Sequence, residues 1–205
     1  MKLSKIISYF FHPINFSIIG ALLYFLYIPK YIFKPIEHTI LIVLFCGTYI
    51  FPVFLLYLMK KFGMIESFHM KTVEERKFPT LLFISISFFM GYWLLKTTVV
   101  NLLALFYLGY GLFMMISYVF LYLNRKISLH MAAIGGLIGF LMYFSYHFKI
   151  NIISIFIMLF ILSGIIATAR IKLNAHNLNE IFWGYSLGII TQLFIYFTYI
   201  IIYKI

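Results

Sequence analysis

The chain contains no aspartate. Its only acids are Glu37, Glu66, Glu74, Glu75 and Glu180, set against 16 Lys and Arg for a formal net charge of +11. With so few carboxylates, a carboxylate-rich magnesium or calcium site is not expected. A single cysteine, Cys46, lies inside an apolar run, so no internal disulfide can form and cysteine usage says nothing about redox compartment. Charged residues make up 10% of the 205, against roughly a quarter in soluble domains. No polar stretch exceeds roughly twenty residues, which leaves no room for an added soluble domain. Walker loops, HExxH helices, cysteine pairs, internal repeats and low-complexity linkers are all missing. One domain covering 1–205 is expected.

What is present is grease: 64% apolar and 21% aromatic residues, with a mean hydropathy of +1.05. About twenty apolar residues cross a bilayer as a helix. Seven candidate segments appear, at 7–28, 39–59, 79–95, 102–123, 131–147, 151–168 and 181–203. Lipid requires backbone groups to be satisfied within each segment, and uninterrupted apolar runs achieve this as helices. The expected fold is therefore all-α, a polytopic transmembrane bundle of six or seven helices. His12 and Pro13 interrupt the first segment, which is expected to be kinked or partly interfacial. The N-terminus is positive and then apolar, but no small-x-small site precedes Lys30, so it reads as retained. Trp183 and the Tyr residues near segment ends read as an interfacial belt.

Parity organises the polar residues. Loops 60–78, 124–130 and 169–180 follow the second, fourth and sixth segments and so share one membrane face with the N-terminus. The opposite face carries only short turns near 29–38, 96–101 and 148–150. The motif face holds eleven of the Lys and Arg residues and the other face five, sixteen in all. The positive-inside rule would place the richer face in the cytoplasm. Positive charge also suits anionic headgroups or an anionic substrate, and nothing beyond charge points to nucleic acid.

Three groups of residues on that face bear chemistry. The first loop reads Lys71-Thr-Val-Glu-Glu-Arg76-Lys77-Phe78-Pro79, the second Ile127-Ser128-Leu129-His130, and the third Ala169-Arg170 through His176 to Glu180. Phosphoryl transfer needs cations around the non-bridging oxygens, an in-line nucleophile and an acid for the leaving oxygen. Arg170 offers a planar fork for phosphate, and Lys71 and Arg76 add charge. His176 is a candidate nucleophile, because neutral imidazole is available near pH 7. Glu180 lies four residues on, expected on the same helical face as His176, where a carboxylate holds the ring tautomer and stabilises the imidazolium. His130 is a candidate acid for the leaving oxygen. Each residue alone has a plainer reading. Lys71 and Arg76 suit a solvated loop, Ser128 a helix cap, His130 an interfacial polar residue, Arg170 a headgroup anchor, and His176 with Glu180 an exposed helical pair. The other histidines, His12, His38, His69 and His147, hold no motif position, although His69 is placed to line an entrance.

In this order the three groups resemble the signatures of the type 2 phosphatidic acid phosphatase (PAP2) superfamily, membrane lipid-phosphate phosphatases related to vanadium haloperoxidases. Its patterns are Lys-x6-Arg-Pro, Pro-Ser-Gly-His and Ser-Arg-x5-His-x3-Asp, and the resemblance covers roughly 70–190. Lys71, Pro79, Ser128, His130, Arg170 and His176 match. Phe78 stands at the first pattern's arginine, with Arg76 or Lys77 as replacement, while Ile127, Leu129, Ala169 and Glu180 replace Pro, Gly, Ser and Asp. The resemblance implies a haloperoxidase-like helical core and hydrolysis of a lipid phosphate or diphosphate through a phosphohistidine. His176, His130 and Glu180 would be catalytic, and Lys71, Arg76, Ser128 and Arg170 would bind phosphate, without metal or cofactor. The implied partners are the bilayer and the lipid substrate, and the implied location a bacterial inner membrane with a periplasmic site. The alternative expectation is a degenerate relative that binds a lipid or partner without turnover, motivated by Phe78 and Glu180. A small transporter ranks last, because the apolar segments hold almost no charge.

Overall fold

The structure, a computed structural model, describes residues 2–66, 73–123 and 125–204. Lys71 and His69 lie outside the described residues. Those that are described form helices joined by short connections, with no strand among them. The helices are α1 (Lys2–Phe10), α2 (Pro13–Tyr27), α3 (Lys34–Phe45), α4 (Phe51–Lys61), α5 (Val73–Thr97), α6 (Asn101–Tyr122), α7 (Leu129–Phe148), α8 (Ile153–Lys172) and α9 (Leu178–Tyr203). Among the described residues six spans are long and apolar enough to cross a membrane, with α3 and α4 forming one of them, Lys34–Lys61; a seventh results if α1 and α2 count as a single bent span.

Local chemistry explains the breaks. The α1–α2 pair bends by 50° where Pro13 starts α2 and the His12 side chain accepts from the Ile14 amide at 3.4 Å. Proline fits a first helical turn, because its missing N–H would lack a partner there anyway. At 15 residues α2 is only about 22 Å long, short of the roughly 30 Å hydrocarbon core. Within the second span, Pro52 cannot donate to the Thr48 carbonyl. The chain widens into a π turn at Cys46–Ile50, where the Phe51 amide reaches the Cys46 carbonyl. The Thr48 hydroxyl donates to Leu44 O at 2.8 Å.

The core is built on α7, which is buried along most of its length and packs against α6, α8 and α9. Its contact with α9 is a backbone approach. A Cβ on Gly184 would sit 2.5 Å from the Ser128 carbonyl, and one on Gly188 would run into the Ala132 carbonyl. Small residues allow such proximity where lipid removes the hydrophobic drive between helices. The Ser128 amide also donates to the Glu180 carbonyl at 3.2 Å, tying the loop before α7 to the start of α9.

Two boundaries differ from the sequence reading. α5 begins at Val73 rather than at 79, so Arg76 and Lys77 are helical residues instead of loop residues. Pro79 sits in the second turn, where only one backbone donor is lost. His176 precedes α9, whose N-cap is Asn177, so His176 and Glu180 do not share a helical face.

Candidate functional site

The connection between α8 and α9 is a tight reversal. Asn174 takes the left-handed conformation at φ 49°, which asparagine tolerates better than most residues. The Ala175 amide returns to the Arg170 carbonyl at 3.1 Å, and His176 is thereby folded back towards Arg170. α9 then opens with a capping box: the Asn177 side chain accepts from the Glu180 amide at 2.9 Å, and Glu180 reaches back to the Asn177 amide. The same oxygen, Glu180 Oε2, lies 2.7 Å from His176 Nδ1. The pair is made by a cap rather than by helical spacing. A glutamate at the third helical position has the reach a capping box requires, which gives Glu180 a local reason to be longer than aspartate.

The His176 side chain is 6% exposed and that of Glu180 is 22%. Burial holds the His176 pKa below its ordinary value. The hydrogen bond and charge of Glu180 oppose that shift, and the Arg170 and Arg76 guanidiniums add to it. Neutral imidazole is therefore favoured, with Nδ1 held by the carboxylate and Nε2 as the remaining ring nitrogen.

Arg76, His130, Arg170, His176 and Glu180 lie in one electrostatic neighbourhood. Arg76 feels Glu180 and Glu75, Arg170 feels Arg76, and His130 feels Arg170, His12 and His176. Two half-buried guanidiniums thus share one neighbourhood with the cap carboxylate of Glu180, and Arg76 has Glu75 beside it as well. The Arg170 Nε is buried with no hydrogen-bond partner among the described residues, and so is Ser128 Oγ. Ser128 holds the N-cap position of α7, yet its side chain makes no capping bond. Lys77 turns elsewhere: its amine pairs with Glu74 at 2.6 Å and lies 4.9 Å over the Tyr122 ring. Arg76 is consequently the residue that brings charge from α5 to the site. Phe78 is 51% exposed.

Two site residues escape the sequence reading. Ser8 on α1 accepts from Arg170 Nη1 at 2.6 Å, and its backbone carbonyl lies 3.0 Å from His130 Nε2. A carbonyl only accepts, so Nε2 carries the proton in this arrangement. The ring of His12 stands edge-on to that of His130 at 5.6 Å between centroids, contrary to the expectation that His12 stays apart from the set. Parity already placed the N-terminus on this face, and that was the signal available for both. Among the described residues no three His, Cys, Asp or Glu side chains converge as a metal-binding group.

No family model matches the chain, and no curated protein or solved structure matches it.

Proposed function

We propose that the chain is an integral membrane phosphatase of the PAP2 kind, with a haloperoxidase-like helical core, acting on a lipid phosphate or diphosphate. One observation carries this reading: an imidazole held by a carboxylate at 2.7 Å, within the field of Arg76 and of Arg170, whose Nε–H has no partner among the described residues. A phosphoryl group is an anionic acceptor of the kind that the unpartnered Arg170 Nε–H can donate to.

In the proposed reaction Nε2 of neutral His176 attacks phosphorus. The P–N bond forms as the bond to the lipid oxygen breaks, and His130, entering the step as the imidazolium, delivers a proton to that oxygen and is left neutral. Glu180 stabilises the positive charge that develops on the ring. Arg170 and Arg76 hold the non-bridging oxygens, with Lys71 and Ser128 assigned to the same grip. Water then attacks the phosphohistidine, gives its proton to His130 and releases phosphate and free His176. By resemblance the site faces the periplasm from a bacterial inner membrane. Setting Lys71, Arg76 and Arg170 aside as ligands lowers the charge bias to eight against five, weakening the positive-inside argument to the contrary.

The test is phosphate release by purified protein in detergent with chelator present. His176→Ala is expected to lower release by about a thousandfold or more, as removal of a nucleophile does. Activity surviving in that variant sinks the mechanism, and activity lost to chelator sinks its metal-free form.

A second reading, lipid binding without turnover, is favoured by the contacts of Ser8. That residue occupies both the proposed clamp and the proposed acid. Retention of a lipid phosphate with no release above background, unchanged in Phe78→Arg and Glu180→Asp, decides for it.

A further inference from the structure

A groove of about 410 Å³ runs between α1 and α8, walled by Leu3, Ile7, Ile161, Gly164 and Ile165, with Lys172 at one end. Its volume falls within the roughly 300–1,000 Å³ typical of ligand clefts. On both helices the groove ends one residue short of the site: Ile7 and Ala169 line it, and the residues that follow them, Ser8 and Arg170, are hydrogen-bonded to each other at 2.6 Å.

We propose that this groove holds the hydrocarbon chain of the lipid phosphate and that substrate enters the site sideways, from the bilayer, between α1 and α8. The proposal rests on the phosphatase reading for the headgroup. Three features support the occupant. Gly164 precedes Arg170 by six residues and Ile161 by nine, about 9 and 13 Å along the helix. A chain whose phosphate sits at Arg170 therefore runs about as deep as one leaflet, half of a roughly 30 Å core. A Cβ at Gly164 would meet nothing within 4 Å, so the groove stays open at mid-depth. Lys172 stands in the lining at the end where α8 reaches Arg170, while the remainder is mostly aliphatic, with Ser4 and Thr168 as its polar members. That matches a ligand with one anionic end and one apolar chain. α1 suits the role of a side wall: it presents Leu3, Ile6, Tyr9 and Phe10 outward, flanked by Lys2 and Lys5, the profile of a helix lying in the membrane interface.

Bulk lipid would fill any lipid-facing groove, so dependence on the headgroup separates the two cases. The experiment uses full-length His176→Ala protein in phosphatidylcholine nanodiscs containing a lipid phosphate with a photoreactive diazirine near mid-chain, and adducts are mapped by mass spectrometry. Adducts are expected on Leu3, Ile7, Ile161 and Ile165. Unlabelled lipid phosphate should reduce them by about tenfold or more, the mark of specific occupancy, whereas the corresponding neutral lipid alcohol should not. Gly164→Phe or Ile161→Trp, introduced into the same background, should cut the yield similarly. Ile190→Phe, on an exposed face of α9, should leave it unchanged. Adducts confined to other helices, no adducts, or adducts that the alcohol displaces equally well overturn the proposal. Phosphate release from the same lipid by the unmodified protein is read separately. Labelling at α1 and α8 without release keeps the groove and rejects the phosphatase; release with labelling elsewhere keeps the phosphatase and rejects the groove.

Discussion

Two sets of polar side chains lie inside this bundle, and they are completed in different ways. At mid-depth Gln192 is fully buried, donates to the Phe106 carbonyl at 2.9 Å, and accepts from the Tyr143 hydroxyl at 3.3 Å. Nearby, the Tyr107 hydroxyl donates to the Ser17 carbonyl at 3.0 Å. These groups are neutral and bonded within the protein, linking α2, α6, α7 and α9. At the motif end the groups are charged and incompletely bonded. Of the buried side-chain polar atoms that lack a partner among the described residues, Ser128 Oγ and Arg170 Nε belong to this end, and Arg170 Nε belongs to a cation. A buried polar network stabilises when every member is satisfied and is costly when it is not. The first cluster reads as structure. The second reads as a place held open for a ligand.

The largest effects are expected where the open cluster is cut. Arg170→Ala should lower phosphate release by about a hundred- to a thousandfold, the usual loss when one preorganised donor to a developing oxyanion is removed. Its unfolding midpoint should hold or rise, because the variant removes a half-buried guanidinium whose Nε has no partner among the described residues, at the loss of one bond to Ser8. Gln192→Leu should do the reverse. It should destabilise by about 1–2 kcal/mol through the lost hydrogen bonds, read from denaturation in detergent, with release per folded protein within about twofold of the parent since no reacting group is touched. Similar rate losses in the two variants would erase the distinction between the clusters.

Much of this was legible in sequence, and the rest was hidden for identifiable reasons. Apolar runs announced the spans, because a bilayer imposes a length that hydropathy reads directly. Parity grouped Arg76, His130, Arg170 and His176, since an even number of crossings returns a chain to the same face. Ser8 was not legible: its contact with Arg170 spans 162 positions, and nothing local in a nine-residue helix records a tertiary partner. His12 was set aside because it holds no motif position, and its approach to His130 is tertiary. The choice of Arg76 over Lys77 depended on α5 starting at Val73, which places Lys77 against Glu74 and Tyr122. Glu180 was paired with His176 for an incorrect reason. Asn177-x-x-Glu180 is a cap signature visible in the sequence, and it puts the carboxylate beside an imidazole that lies outside the helix.

The smallest effect is the most discriminating, because it concerns the position of a titration and not its height. Burial, together with Arg170 and Arg76, lowers the His176 pKa, while Glu180 raises it. A nucleophilic imidazole works only when neutral, so release should fall as pH drops through this pKa, which lies below the ordinary value of about 6.5. Removing Glu180's charge removes the upward influence and leaves the downward ones. In Glu180→Gln the acidic limb of kcat/KM, normalised to its own plateau, should therefore move to lower pH. In Arg170→Gln it should move the other way, towards 6.5. The phosphate of the substrate titrates in the same region, but it is common to all three profiles and drops out of the differences. Stability carries the same sign: the fold prefers neutral His176, so this contribution is intact above about pH 6.5 and is lost as the unfolded chain takes up its proton first. If both limbs shift in the same direction, His176 is not the group being titrated. Arg170 and the capped imidazole would then belong to separate structural solutions rather than to one site.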